Sequence, residues 1–361
     1  YVQLSHWLCG KYHSNLRMIS VAIISDIKDI HDAVSRECLS RPALATLIKN
    51  GDIAISQEST DTISPTCEVV LADPGCVSKY LDNGFPGLVW LQCTFAGVNR
   101  IFEDTTRSDF IFTRIGRGFG VQMVEYVLGW ILALQLQIPI SLDQQRQCEW
   151  NGTPFTSRGI LAGKNIGILG AGKIGTAIAE ACKCVGLRPY GLCARECCGE
   201  NIGPFDVLSD SVEEVLRASD IIVNCLPSTP HTRCLLSLDL LRSCCSSRMP
   251  VFINIGRGDV ISTTSLLIAL EENIISHAVL DVVEDEPLPS SSPLWTHPAV
   301  SITPHISAVS YPSLVAEVFA DNFERYMQCV GMRQNSVDDK YDFMKCLNST
   351  LLYLVDRAKG Y

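Results

Sequence analysis

Arg257, Glu286 and His305 bring together a fixed cation, a carboxylate and the side chain that titrates nearest neutral pH. These are the residue types of anion binding and acid–base work. Each follows a short apolar run that reads as a strand, at residues 251–255, 278–283 and 301–303. In a parallel sheet such carboxyl ends share one edge, and ligands of open α/β sheets bind outside it. Residues distant in sequence would therefore converge on a cofactor's reactive end. Each alone also has a structural reading: a satisfied histidine, a solvated arginine in a glycine turn, a glutamate in the acidic run Glu284-Asp285-Glu286. Their common edge is what makes the set informative.

That edge is organised by residues 165–195, which begin NIGILGAGKIG. An apolar run ends in Gly170-Ala171-Gly172-Lys173-Ile174-Gly175. A helical pattern follows, with Ile174, Ile178, Ala181 and Val185 on one face, and then a second apolar run at 187–193. Strand, glycine turn, helix and strand make the βαβ setting of a dinucleotide fingerprint. Gly170 allows the tight turn, Gly172 a close backbone approach to pyrophosphate, and Gly175 close helix packing. The helix N-terminus then faces the phosphates. The acid that binds a ribose 2′-hydroxyl usually ends the second strand. Cys193 and Ala194 stand there instead, followed by Arg195. Arg195 reads either as a partner of a 2′-phosphate, favouring NADP over NAD, or as a solvated loop arginine.

The 361 residues are enough for two domains. They are 47% hydrophobic and 19% charged, so sizeable cores can form. Twenty-nine basic against 39 acidic residues give a net charge of −10, which argues against a nucleic-acid or anionic-membrane surface. No apolar run approaches the ~18 residues of a membrane span, and no secretory signal is visible, although the first residue is Tyr1. The seventeen cysteines lack CxxC zinc spacing, and several lie in apolar runs such as IIVNCLP. They read as reduced thiols of a cytoplasmic protein, without a structural disulfide or metal.

The first ~110 residues alternate strand-like runs (18–26, 68–72, 88–92) with helical segments, one of them at 77–83, which predicts a small open parallel sheet. The third run leads into Cys93-Thr94-Phe95-Ala96-Gly97-Val98, either a plain turn or a backbone site for a carboxylate. Residues 122–137 form a helix that is apolar nearly all round. It predicts burial in a core, a domain junction or a subunit interface. The alternation resumes after 195 and ends in a long helix at 312–330.

The chain resembles the D-isomer-specific 2-hydroxyacid dehydrogenases in GAGKIG, LPSTPHT, INIGRGD, LDVVEDEPLP and TPHISA. SPLWTHPAVSITPHISAVSYP and the terminal DRAKGY look closest to the family's glyoxylate/hydroxypyruvate reductase A branch. The likeness covers residues 90–330 and is loose over the first 65; residues 332–350 look like an insertion. The resemblance implies an α/β fold of two Rossmann-like domains with parallel sheets, the cofactor domain (127–311) inserted into a split substrate domain (1–126 and 312–361).

It also implies roles. Arg257 would clamp the substrate carboxylate and polarise the C2 carbonyl. His305 would be the general acid, and Glu286 would pair with it and hold its proton. Asp281 would orient the nicotinamide carboxamide, Pro227 and Thr232 would line the cofactor groove, and Gly170, Gly172, Lys173, Ile174 and Gly175 would cradle the phosphates. Ala96 and Gly97 would offer backbone N–H groups to the carboxylate, and Trp295 would wall the substrate pocket. The implied activity is reduction of a small 2-oxo acid of glyoxylate or hydroxypyruvate type by hydride transfer from NADPH, with NADH possible, in a homodimer formed through the inner domain. Two other readings stay open: a dehydrogenase for a larger substrate using NAD, and a cofactor-sensing binding protein like the family's transcriptional corepressors.

Overall fold

The computed structural model describes residues 18–156, 158–193, 202–333 and 340–357. The chain divides into two compact units, Tyr1–Arg117 with Ser310–Tyr361, and Gly118–Val309.

The first unit alternates β1 (Ile19–Ile24), α1 (Ile30–Ser40), α2 (Pro42–Lys49), β2 (Ile53–Gln57), β3 (Val69–Ala72), α3 (Pro74–Val77), β4 (Trp90–Cys93), α4 (Asn99–Asp104) and β5 (Ile111–Thr113). The strands form one parallel sheet in the order β2-β1-β3-β4-β5. β3 and β4 are buried along their whole length, as sheets covered on both faces require. The expected helix at 77–83 is instead α3 followed by a single 3₁₀ turn, Ser78–Tyr80.

The second unit contains α5 (Phe119–Gln135), α6 (Ile138–Arg146), β6 (Asn165–Leu169), α7 (Lys173–Cys184), β7 (Arg188–Leu192), β8 (Val207–Ser209), α8 (Val212–Ala218), β9 (Ile221–Asn224), α9 (Leu238–Cys245), β10 (Val251–Asn254), α10 (Thr263–Glu271), β11 (His277–Leu280) and β12 (Val300–Ile302). Its seven strands are all parallel, in the order β12-β11-β10-β9-β6-β7-β8. Strand order reverses between β6 and β9, the switch point at which such sheets open a crevice. Ser211, Ser237 and Ser262 cap α8, α9 and α10, each accepting a backbone N–H two or three residues into its helix. The chain then returns to the first unit through α11 (Pro312–Arg333) and α12 (Lys340–Thr350). There the buried Trp90 stacks on Phe319 and Tyr326 of α11, at 5.4 and 5.5 Å between ring centroids.

Two expectations need correction, and the burial of α5 is narrowed. The strands β2, β5 and β8 are not among the strand-like runs expected from the sequence, and all three lie at sheet edges. β2 and β8 are each buried at a single residue, so their patterns are weak, whereas β5 is buried throughout but only three residues long. The α5 helix is not buried all round within the chain: Phe119, Val127 and Ile131 are buried, but Val121 is 68% exposed and Leu132 38%. The reading of every thiol as reduced also fails, because Cys329 of α11 and Cys346 of α12 form a disulfide with Cα atoms 6.0 Å apart. The two helices lie side by side, with Tyr326 against Phe343 at 6.0 Å, and nothing in the local sequence announces that pairing. No single described helix is long and apolar enough to cross a membrane; the bent pair α5–α6, with 63° between its helices, passes that test only by length and composition.

Candidate functional site

The carboxyl ends of the seven parallel strands of the second unit share one edge of its sheet. The β6 end is the glycine turn. Gly170 adopts φ +108, a conformation that suits glycine. A Cβ on Gly175 would lie 2.1 Å from the Gly170 carbonyl oxygen, so the third glycine is required by the packing of α7 on its own turn. Gly172 differs: its backbone is extended, and an added Cβ would meet no protein atom within 4 Å. Folding alone does not demand a glycine there, whereas an approaching ligand backbone or phosphate does. Lys173 opens α7, and the helix buries Gly175, Ile178, Ala179 and Cys182, with Ile174 and the expected Ala181 and Val185 only partly covered.

Beside the turn lies a cavity of about 320 Å³ lined by Ala171, Thr176, Cys193 and the segment 202–205 with Leu208. Cys193, at the end of β7, donates its backbone N–H to Ser209 at 2.9 Å. Arg195 lies outside the described residues. The open Gly172, the N-terminus of α7 and this cavity together fit the phosphates and adenosine half of a dinucleotide.

After β9 the chain enters the loop with Pro227 and Thr232. The Thr232 hydroxyl donates to the Pro227 carbonyl at 2.6 Å and accepts from the Thr229 N–H at 2.8 Å, so it closes the loop on itself. Asp259 ties this loop to the turn after β10, accepting from Ser228 at 2.5 Å and pairing with Arg233 at 3.2 Å.

Arg257 sits in that second turn. Its Nη1 donates to the Gly256 carbonyl at 2.6 Å. Burial pushes its proton affinity down, and the negative charges of Glu286 and Asp259 push it back up. The turn is also held by two residues that the sequence reading missed. Asn224 and Asn254, fully buried, end the adjacent strands β9 and β10 in register. Asn224 donates to the Asn254 side-chain oxygen at 2.8 Å, and Asn254 donates to the Arg257 carbonyl at 3.0 Å. Their side-chain oxygens accept from Leu226 and Gly256 N–H, at 3.1 and 3.3 Å. The available signal was polar asparagine ending two otherwise apolar strands, IIVN and VFIN.

The turns after β10 and β11 touch directly. A Cβ on Gly258 would fall 1.8 Å from the Val283 carbonyl oxygen, so only glycine allows the contact. The Val283 N–H in turn donates to Glu286 Oε1 at 3.2 Å. Glu286 Oε2 lies 2.9 Å from His305 Nδ1. Burial alone would raise the Glu286 carboxyl. The hydrogen bond and charge of His305, the Val283 N–H and Arg257 outweigh that and hold it below the usual carboxylate range. His305 leaves β12 in a left-handed conformation, φ +56, and its side chain is 51% exposed. The structure therefore brings Glu286 and His305 into contact and sets Arg257 within electrostatic reach of Glu286.

Asp281, at the end of β11, is 2% exposed. Its oxygens accept from the Thr303 hydroxyl and from the backbone N–H groups of Ile306 and Ser307, at 2.6, 2.7 and 2.9 Å. Trp295 lies in the 3₁₀ turn Pro293–Thr296, 51% exposed, its indole N–H donating to the Pro289 carbonyl at 2.9 Å. Ala96 and Gly97 lie in the first unit, between β4 and α4.

Comparison with known proteins follows the same outline. Residues 128–307 match the NAD-binding domain of the D-isomer specific 2-hydroxyacid dehydrogenases. The chain is 32% identical over 217 residues to a glyoxylate/hydroxypyruvate reductase A from Photorhabdus laumondii, covering 58% of this chain and 64% of that one. It is 30% identical over 275 residues to D-3-phosphoglycerate dehydrogenase of Bacillus subtilis, covering 75% and 51%. The matches thus span less than two thirds of either relative's own length. A crystal structure of a D-isomer specific 2-hydroxyacid dehydrogenase family protein from Aeromonas salmonicida superposes with a TM-score of 0.76 at 29% identity, covering 94% of this chain and 99% of that one.

Proposed function

The chain belongs to the D-isomer specific 2-hydroxyacid dehydrogenase family, and on that premise we propose that it reduces a small 2-oxo acid of glyoxylate or hydroxypyruvate type to the 2-hydroxy acid. The observation that carries the reading is the His305–Glu286 contact of 2.9 Å on the edge that also bears Arg257 and the glycine turn. Reduction of a ketone carbon needs a hydride, a proton and a counter-charge for the substrate acid. NADPH, when bound, supplies the hydride. Gly170, Gly172, Lys173, Ile174 and Gly175 would hold its phosphates, with the Pro227–Thr232 loop beside them. Arg257 offers a planar fork to the carboxylate and the carbonyl oxygen. With Glu286 accepting from Nδ1, the doubly protonated ring of His305 would deliver its Nε2 proton to the developing alkoxide and be left as the neutral Nδ1–H imidazole. Trp295 would bound the substrate pocket. The test is a panel of 2-oxo acids with NADPH and NADH, followed at the nicotinamide absorbance. No turnover with any 2-oxo acid would refute the reading.

The preferred cofactor in this proposal is NADPH, because Cys193 and Ala194 replace the acid that would hold a ribose 2′-hydroxyl, and Arg195 follows. A hydrogen bond to a charged group contributes about 1.5–3 kcal/mol, so kcat/KM should favour NADPH by about tenfold to a hundredfold. Arg195→Ala should raise KM for NADPH and leave NADH nearly unchanged. Equal or better kcat/KM with NADH in the wild type would remove this part of the proposal.

The same reading includes a homodimer built on the second unit. Its support is the apolar surface left on α5, α6 and their junction, where Val121, Leu132, Leu136, Ile138, Ile140 and Leu142 are 38–68% exposed. Several large apolar side chains left exposed on one pair of helices favour an association site. Light scattering at micromolar concentration should give twice the mass of one chain. A monomer mass would leave the patch without its proposed occupant.

A further inference from the structure

His305 depends on a turn held largely from the neighbouring strand, with one local bond from its N–H to the Thr303 carbonyl at 3.0 Å. It follows Pro304, which has no N–H to give, and its left-handed φ of +56 turns the chain out of the sheet. Residues of that conformation persist where surrounding contacts determine them. Here nearly all those contacts come from one residue of the neighbouring strand. The Asp281 carbonyl accepts the His305 N–H at 2.9 Å. The Asp281 carboxylate takes the Thr303 hydroxyl on one side of His305, and the Ile306 and Ser307 N–H groups on the other. One buried acid therefore grips residues 303, 305, 306 and 307.

The grip is reinforced from α5. Because a carboxylate only accepts, the Thr303 hydroxyl donates to Asp281 and must accept from Tyr126, whose hydroxyl lies 2.6 Å away. Burial pushes Tyr126 up to about 12, against the Thr303 hydrogen bond and helped by the nearby charge of Asp281, so it keeps its proton. Glu286 reaches His305 only at Nδ1, a single contact on an exposed ring. That contact orients the ring once the backbone has been aimed, and Asp281 aims it.

We propose that Asp281 is a positioning residue for the proton donor: it sets the place of His305 by holding the turn at 303–307. The proposal rests on the reductase reading for its kinetic consequences. Asp281→Asn keeps the shape but exchanges one acceptor oxygen for an NH₂ group, so at least one of the three donors meets another donor. The expected result is a fall in kcat of at least about tenfold, larger than any change in KM for NADPH; a role confined to orienting the nicotinamide carboxamide would instead show chiefly in KM for NADPH. In a His305→Gln background the same change should cost less than about threefold more, since a residue acting through His305 has nothing left to position. A raised KM for NADPH at unchanged kcat, or full multiplication of the two losses, would overturn it.

A second readout needs no turnover. Long-range ¹H–¹⁵N spectra, with His305 identified by its disappearance in His305→Gln, should show shifted ring signals for His305 in Asp281→Asn. An unaltered ring overturns the proposal. Should Asp281→Asn not fold, Thr303→Val removes one of the three donors and should give a smaller change of the same kind in both readouts. An inactive wild type would refute the reductase reading alone, and the spectra would still decide the role of Asp281.

Discussion

His305→Gln should lower kcat for 2-oxo-acid reduction by about 10²–10⁴-fold, the usual worth of general acid catalysis. Glutamine keeps much of the size of the ring and stays polar on a half-exposed site, so the turn gripped by Asp281 survives. Affinity for NADPH should barely change, because the dinucleotide features lie at the β6 and β9 ends of the sheet and His305 at β12. Retention of more than about a tenth of wild-type kcat would assign the proton to another group. The pH behaviour of the partner follows from Glu286. Its carboxyl is held below the usual carboxylate range, so the pair contributes stability that is fully present above the unfolded glutamate pKa of about 4.3 and is lost as pH falls through the lower folded value. At neutral pH Glu286 is therefore a constant acceptor for His305 Nδ1, and a thermal-stability profile should lose this contribution only in acid. Glu286→Gln should flatten that acid loss, as measured by melting temperature against pH.

Arg257→Met should lower kcat/KM by about 10²–10⁴-fold. Two charge-assisted hydrogen bonds to a carboxylate are worth about 3–6 kcal/mol together, and methionine fills the space of the stem without replacing either. Burial disfavours the Arg257 charge while Glu286 and Asp259 support it, so a substrate anion would meet a cation poorly shielded by water. Arg257→Lys should recover only part of the loss, since an ammonium cannot reproduce the planar fork. The turn itself should hold in both variants, because Asn254 and Asn224 bind the Arg257 backbone and not its side chain. If Arg257→Met loses less than about fivefold in kcat/KM, the substrate carboxylate is bound elsewhere.

Much of this was legible in the chain itself. Buried parallel strands are near-continuous apolar runs, so β1, β3, β4, β6, β9, β10 and β11 announce themselves. A GAGKIG turn between two such runs carries its own explanation in Gly170 and Gly175. The positions of Arg257, Glu286 and His305 past strand ends were legible too, because a polar residue after an apolar run marks where the sheet meets its edge, although Asn224 and Asn254 were missed. Tertiary structure decided the remainder. Edge strands β2 and β8 have weak patterns because they are covered less completely, so pairing rather than periodicity defines them; β5 is buried throughout but only three residues long. Cys329 and Cys346 are bonded because α11 and α12 lie side by side, a matter of helix packing that neither helix encodes alone. The order β10-β11-β12 places the ends of three strands next to one another, which no spacing in the sequence prescribes. On it depend the meeting of Glu286 with His305 and the several hydrogen bonds by which Asp281 reaches across 22 to 26 residues to hold the turn. Local sequence encodes which face of an element is buried. The partner that a buried carboxylate finds depends on which strand lies beside it and on how the chain turns at the strand's end.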